Sequence, residues 1–174
     1  SLFPKDIHLY NMQGAANAVL HKYDAAIESY EKALKIDPNY PEAYSNMGNA
    51  LHSKGELDAA ICCLKKAIKI KPNFADAHIN MGTALEKKGD LDAAIDNFRK
   101  ALKIDPNYSK AYFNIGNSLK NKGELDAAIE NYKQAINIKS DYAEAYINMG
   151  IALVDKGELD AAIGSLKKAI KLSP

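Results

Sequence analysis

The 174-residue chain has no tryptophan and two cysteines, Cys62 and Cys63, which are adjacent. Neighbouring cysteines cannot staple distant segments, so a disulfide-built secreted scaffold is excluded. They make no metal site either: His8, His21, His52 and His78 are scattered over three segments, none at ligand spacing from the pair. The thiols read as incidental ones in a reducing compartment. An excess of one charge is also missing, with 23 basic and 22 acidic side chains. That balance removes any bulk attraction to nucleic acid or to an anionic membrane. No apolar run approaches the roughly 20 residues of a membrane span. Residues 1–20 lack the basic segment and apolar stretch of a signal peptide. A cytoplasmic protein is therefore expected. There is no β-strand alternation, no glycine-rich phosphate loop and no local nucleophile–base grouping. The expectation is a protein that is not an enzyme, with no cofactor and no metal.

What the chain does have is repetition. The octapeptide Lys-Gly-acid-Leu-Asp-Ala-Ala-Ile starts at Lys54, Lys88, Lys122 and Lys156, each 34 residues after the last. Pro4, Pro38, Pro72, Pro106 and Pro174 keep the same beat, with Ser140 in the missing place. Glycines recur at Gly14, Gly48, Gly82, Gly116 and Gly150, and asparagines at Asn46, Asn80, Asn114 and Asn148.

Each 34-residue unit reads as two helices. In residues 41–74, Tyr44, Met47 and Leu51, then Leu57, Ile61, Leu64 and Ile68, fall at helical spacing. Gly55 stops the first helix, with Lys54 at its negative end. Glu56 and Asp58 suit the exposed N–H groups that open the second. Pro72 ends it. Basic residues such as Lys65, Lys66 and Lys69 lie toward helix C-termini, which is dipole complementation rather than a nucleic-acid stripe.

This helix–turn–helix unit resembles the tetratricopeptide repeat (TPR) over essentially the whole chain. The family's aromatic position holds Tyr10, Tyr44, His78, Tyr112 and Tyr146, and its small positions hold the glycine series and Ala26, Ala60, Ala94, Ala128 and Ala162. The resemblance implies an all-α fold, a right-handed α-solenoid of five units at 7–40, 41–74, 75–108, 109–142 and 143–174. Residues 1–6 look like the tail of a preceding unit. It also implies that the first helices line a groove that binds a protein or peptide partner.

Two columns of that expected groove carry chemistry. The asparagines Asn46, Asn80, Asn114 and Asn148 can donate to and accept from a peptide backbone, and resemble the asparagine ladder of O-linked N-acetylglucosamine transferases. The alternative is that they tie adjacent units together. Ile79, Phe113 and Ile147, extended by Ile151 and Val154, form an apolar column that suits a ligand's side chains if exposed and a helix seam if buried. Asn49, Thr83 and Asn117 make a further polar column. Asn49, Asn80 and Lys110 match three positions of the chaperone-binding TPR that holds a C-terminal carboxylate, but Ser45 and Asn114 stand where its other cations belong.

The first unit departs most from the pattern, with His21 for the helix-ending glycine and Asn17 for leucine. The last has no capping helix after it, leaving Leu166, Ala169 and Ile170 without a cover. Hence two alternatives to peptide binding: a scaffold that self-associates into homo-oligomers through its ends, or a substrate-recruiting segment of a larger enzyme.

Overall fold

The computed structural model describes residues 4–172, and among them there are ten α-helices and no strand. In order they are α1 (Pro4–Val19), α2 (Tyr23–Ile36), α3 (Pro41–Lys54), α4 (Leu57–Ile70), α5 (Ala75–Lys87), α6 (Leu91–Ile104), α7 (Ser109–Asn121), α8 (Leu125–Ile138), α9 (Ala143–Asp155) and α10 (Leu159–Leu172). The chain divides into two compact parts, Ser1–Gly89 and Asp90–Pro174. The division falls inside the third repeat, between α5 and α6.

The turns explain the helix boundaries. Gly55 takes a left-handed φ of 85°, and the next amide, Glu56 N–H, reaches back 2.9 Å to the Leu51 carbonyl. This closes the orphan carbonyls of α3 in the way a glycine cap allows. In the first repeat His21 does the same job with a φ of 56°, and Lys22 N–H donates to the Asn17 carbonyl at 2.9 Å. A residue with a Cβ is strained there, and the backbone bond overrides the strain. Second helices stop at the residue two before the proline position. α8 stops there too, at Ile138, although Ser140 replaces proline. The turn is therefore set by packing as well as by proline.

In the first part the helices pack in chain order, α1 on α2, α2 on α3, α3 on α4 and α4 on α5. Its core is a series of clusters that bridge neighbouring repeats: Ala26, Tyr30 and Ala50; Leu51, Ala60 and Cys63; Leu64, Met81 and Ala84. The second part repeats the scheme from α6 to α10. Ile115, Leu119, Ile129, Tyr132, Met149 and Leu153 are buried there. Each such side chain contributes about 1.5–3 kcal/mol when fully removed from water.

The small residues set the helix spacing. A Cβ built on Gly116 would sit 2.6 Å from a ring carbon of Tyr132 on α8. No real side chain tolerates that distance, so only glycine lets α7 and α8 close on the fully buried ring. The alanines of the second helices are as tightly held: Ala26, Ala60, Ala94 and Ala128 have no exposed surface.

Candidate protein-interaction site

The asparagine column is built by the first helices, and its members reach from one repeat to the next. Asn46 Nδ2 donates to Asn11 Oδ1 at 3.1 Å, and Asn80 Nδ2 donates to the Ser45 hydroxyl at 3.2 Å. In the second part Asn148 Nδ2 donates to Asn117 Oδ1 at 2.8 Å, and the Tyr132 hydroxyl donates to the same oxygen at 2.8 Å. The amides thus tie adjacent units together, and their orientation is fixed. Asn46, Asn80, Asn117 and Asn148 stay half-buried, Asn49 is exposed, and Asn114 is 8% exposed. Asn114 is too enclosed to lie open to a partner in this conformation. Thr83 donates its hydroxyl to the Ile79 carbonyl of its own helix at 3.0 Å.

The apolar column is corrected by the structure. Ile79 is 1% exposed, so it is a core residue and not part of an open ligand surface. Phe113 is half-buried, with its ring 5.0 Å from that of Tyr142 and 6.0 Å from that of Tyr132. Ser45, at the same register in the second repeat, is 1% exposed and accepts from Asn80 of the next first helix, α5. This register is a seam between successive first helices. Ile147, on α9, is 38% exposed, since no further first helix follows α9 among the described residues. The carboxylate-binding arrangement fails on geometry too: Lys110 is exposed, but Ser45 is enclosed in the seam.

The repeat motif carries a feature not read from its sequence. Lys54 donates to Asp24 at 2.7 Å, Lys88 to Asp58 at 2.6 Å and Lys122 to Asp92 at 2.7 Å, and Lys156 pairs with Asp126. Each lysine ends a first helix and reaches the second helix of the repeat before it, thirty residues back. Lys54, Lys122 and Lys156 also hold the acid two residues on, Glu56, Glu124 and Glu158. These bonds hold the ammonium groups of Lys54, Lys122 and Lys156 above the usual lysine range. The signal was in the octapeptide: its lysine and its aspartate recur together because they are partners across repeats, not only because each suits a helix end.

A second feature lies on the last repeat. Ile147, Ile151 and Val154 form one stripe on α9 with 38%, 41% and 48% of their surface exposed. On α10, Ile163 is 50% and Ile170 72% exposed. Ile147, Leu166, Ala169 and Ile170 line an open cavity of about 370 Å³. Ala169 itself is only 3% exposed, so it forms a wall and not a projecting contact. Ile163 was not singled out from sequence, although Ile95 and Ile129 at the same register are 4% and 5% exposed.

Two titratable groups sit apart from these surfaces. The Nε2 of His52 is enclosed without a hydrogen bond, and burial, helped by the nearby Lys87 ammonium, holds its pKa below the usual histidine value. Burial, with the neighbouring Cys62, pushes the Cys63 thiol up to about 11, which keeps it protonated and unreactive. Among the described residues no three His, Cys, Asp or Glu side chains are grouped to hold a metal ion, and no helix is long and apolar enough to cross a membrane.

Comparison with known proteins follows the same repeat. A family model described as TPR repeat matches residues 20–55, 48–89 and 116–155, and others described as tetratricopeptide repeat match 75–108, 97–130 and 143–174. The chain is a tetratricopeptide-repeat protein. As a TPR array it is a protein–protein interaction module. The small glutamine-rich tetratricopeptide repeat-containing protein 2 of Saccharomyces cerevisiae is 34% identical over 55 residues, which are 32% of this chain and 16% of that protein. Among solved structures, MamA is 33% identical with a TM-score of 0.79, covering 91% of this chain and 93% of that one. YrrB, described as a TPR protein with an unusual peptide-binding site, is 26% identical with a TM-score of 0.71, covering 95% and 85%. PilF of Pseudomonas aeruginosa shares the fold at 17% identity, with a TM-score of 0.90 over 98% of this chain and 78% of that one.

Proposed function

We propose that this TPR protein holds an extended peptide segment of a partner protein against the first helices of its repeats. The observation that carries the reading is the fixed orientation of Asn46, Asn80 and Asn148. Each uses one N–H within the protein, and each carboxamide has a second N–H and an oxygen acceptor to offer. Groups held in place beforehand lose little entropy on binding. In the first part Asn49 adds an exposed amide beside Asn46, and in the second Lys110 adds an exposed cation on the same helix as Asn117. Backbone bonding makes the contact tolerant of partner sequence. The likeness to YrrB supports a peptide as the ligand class.

The test is a random-peptide selection against the wild-type chain, followed by titration of the selected peptide into the Asn46→Ala/Asn80→Ala variant, both positions lying in the first part. Two lost bonds of about 0.5–1.5 kcal/mol each should weaken binding by roughly tenfold. Unfolding is followed in parallel, because the same amides also tie repeats together. A lowered unfolding midpoint with unaltered affinity would show that the asparagines are struts and nothing more.

A further inference from the structure

One pair of positions recurs in both parts with different charges. In the first part Lys71, just past the end of α4, bonds to Glu42 in the first turn of α3 at 2.9 Å. Its ammonium lies 4.7 Å from the centre of the Phe74 ring. Two repeats on, the same three places hold Lys139, Lys110 and Tyr142. Lys139 keeps its position over the ring, 4.8 Å from the centre of Tyr142. No carboxylate accompanies it, and Lys110 stands where Glu42 stood. Among the described residues neither Lys110 nor Lys139 has a carboxylate partner, and both are exposed.

Helix electrostatics does not account for Lys110. The first helices α1, α3, α5 and α9 carry Asp6, Glu42, Asp76 and Glu144 in their first turns, which suits the positive end of a helix. The first turn of α7 has no acid and holds Lys110 instead. This lysine is thus set against its own helix dipole as well as against a like charge. The Glu144 carboxylate acts on the Tyr142 hydroxyl but bridges neither lysine. Lys110 and Phe113 are one turn apart on α7 and share a face. The Phe113 ring lies 5.0 Å from that of Tyr142, and both are half-buried. With α7 and α9 both in place on either side, this spot is not a seam awaiting a further helix.

We propose that Lys110 and Lys139 select an acidic side chain in the partner's segment, an aspartate or glutamate whose carboxylate takes the place that Glu42 fills in the first part. The selection rests on the peptide contact proposed above: the asparagines hold backbone without regard to sequence, and the lysine pair fixes one residue type. The carboxylate accepts from both ammonium groups, and such charge-assisted bonds are stronger than neutral ones. The half-buried rings beside the pair exclude water and strengthen it further. Unlike the chaperone-binding arrangement, this one calls for no chain terminus and for no cation at Ser45 or Asn114.

The probe is a library of random peptides with blocked ends, selected against the full chain. Binders should carry Asp or Glu at one fixed position. Selection against Lys110→Glu, which rebuilds the pair seen in the first part, should still yield binders but without that preference. Exchange of the peptide's acid for its amide should weaken binding to the wild type by roughly three- to fivefold, as loss of an exposed ion pair does, and leave binding to the variant unchanged. Added salt should narrow the difference. Lys139→Gln, a second variant, should act in the same direction as Lys110→Glu. Binders without a fixed acid, or the same acid preference on both chains, overturn the proposal and leave the peptide reading standing. The absence of any binder overturns both. Inorganic phosphate that displaces the acidic peptide far more effectively than chloride at equal ionic strength also overturns it, since the lysines would then form a site for free anions.

Discussion

The first and last repeats are built on one pattern and treat water in opposite ways. In α1 the two positions that hold Met or Ile and Leu in every later repeat are Gln13 and Asn17. In α10 the isoleucine of the second-helix register is kept, and Ile163 is 50% exposed where Ile27 and Ile61 are half-buried and Ile95 and Ile129 are 4% and 5% exposed. The polar substitutions of α1 remain only partial, since Leu9 and Met12 are still 63% and 68% exposed. The difference teaches that exposure at α10 reflects the lack of a further helix against it among the described residues, whereas exposure at α1 is partly written into the residues themselves.

The largest effect that would break this comparison is at the isoleucine register. Ile129→Ala should destabilise by about 2–5 kcal/mol, because it empties a covered site. Ile163→Ala should stay within about 0.5 kcal/mol, as for a surface change. Denaturant titration of both variants measures the gap, and equal losses would show that the α10 face is covered in solution. Next comes the glycine register. A Cβ on Gly14 would lie 2.4 Å from the ring of Tyr30, which is 2% exposed. Gly14→Ala should therefore cost about 1–3 kcal/mol. At Gly150 the obstacle is Leu166, 2.8 Å away but only half-buried beside the open cavity. The clash is with its branch carbon Cγ, which must swing toward the cavity, so Gly150→Ala should cost less than Gly14→Ala, offset by about 0.5–1 kcal/mol of helix propensity.

A smaller effect sharpens the contrast from the turn side. The later first helices end on glycines with φ of 80–87°, and the first ends on His21 at 56°. His21→Gly should stabilise by about 1 kcal/mol through relief of the left-handed strain, read as a raised unfolding midpoint. The smallest effect is the pH response of the position that holds His52 in the second repeat and Val154 in the last. The native state lowers the pKa of His52, so below the unfolded value of about 6.5 the unfolded chain binds more protons. Stability is whole above that value and falls as pH drops through the native pKa. His52→Val should flatten the profile between pH 7 and 5 in thermal melts.

The sequence made the helices and their ends readable because those depend on local chemistry. Gly55 must be left-handed, and a proline cannot extend α4, whatever packs around them. The fate of a column across repeats was less readable. A 34-residue period says that Ser45, Ile79, Phe113 and Ile147 are equivalent, but not which side of the first helix a neighbour covers. Ile79 therefore looked available and is enclosed, and Asn114 likewise. The Lys–Asp pairs stayed hidden for a related reason. Within one unit Lys54 and Asp58 each suit a helix end, and only the neighbour in space shows that Lys54 belongs with Asp24.

Those pairs have a consequence for how such a chain can change length. Every rung reaches back thirty residues, and the seam hydrogen bonds reach 31 to 35. No rung depends on a residue two repeats away. Excision of residues 109–142 would bring Lys156 to the place where Lys122 now meets Asp92, and the pair would form again with the same chemistry. Insertion of a copied unit would add one more rung and disturb none. Gene duplication and deletion in 34-residue steps thus leave the interface rules intact, while a shift by any other number of residues breaks the rung that spans it and leaves the rest in register.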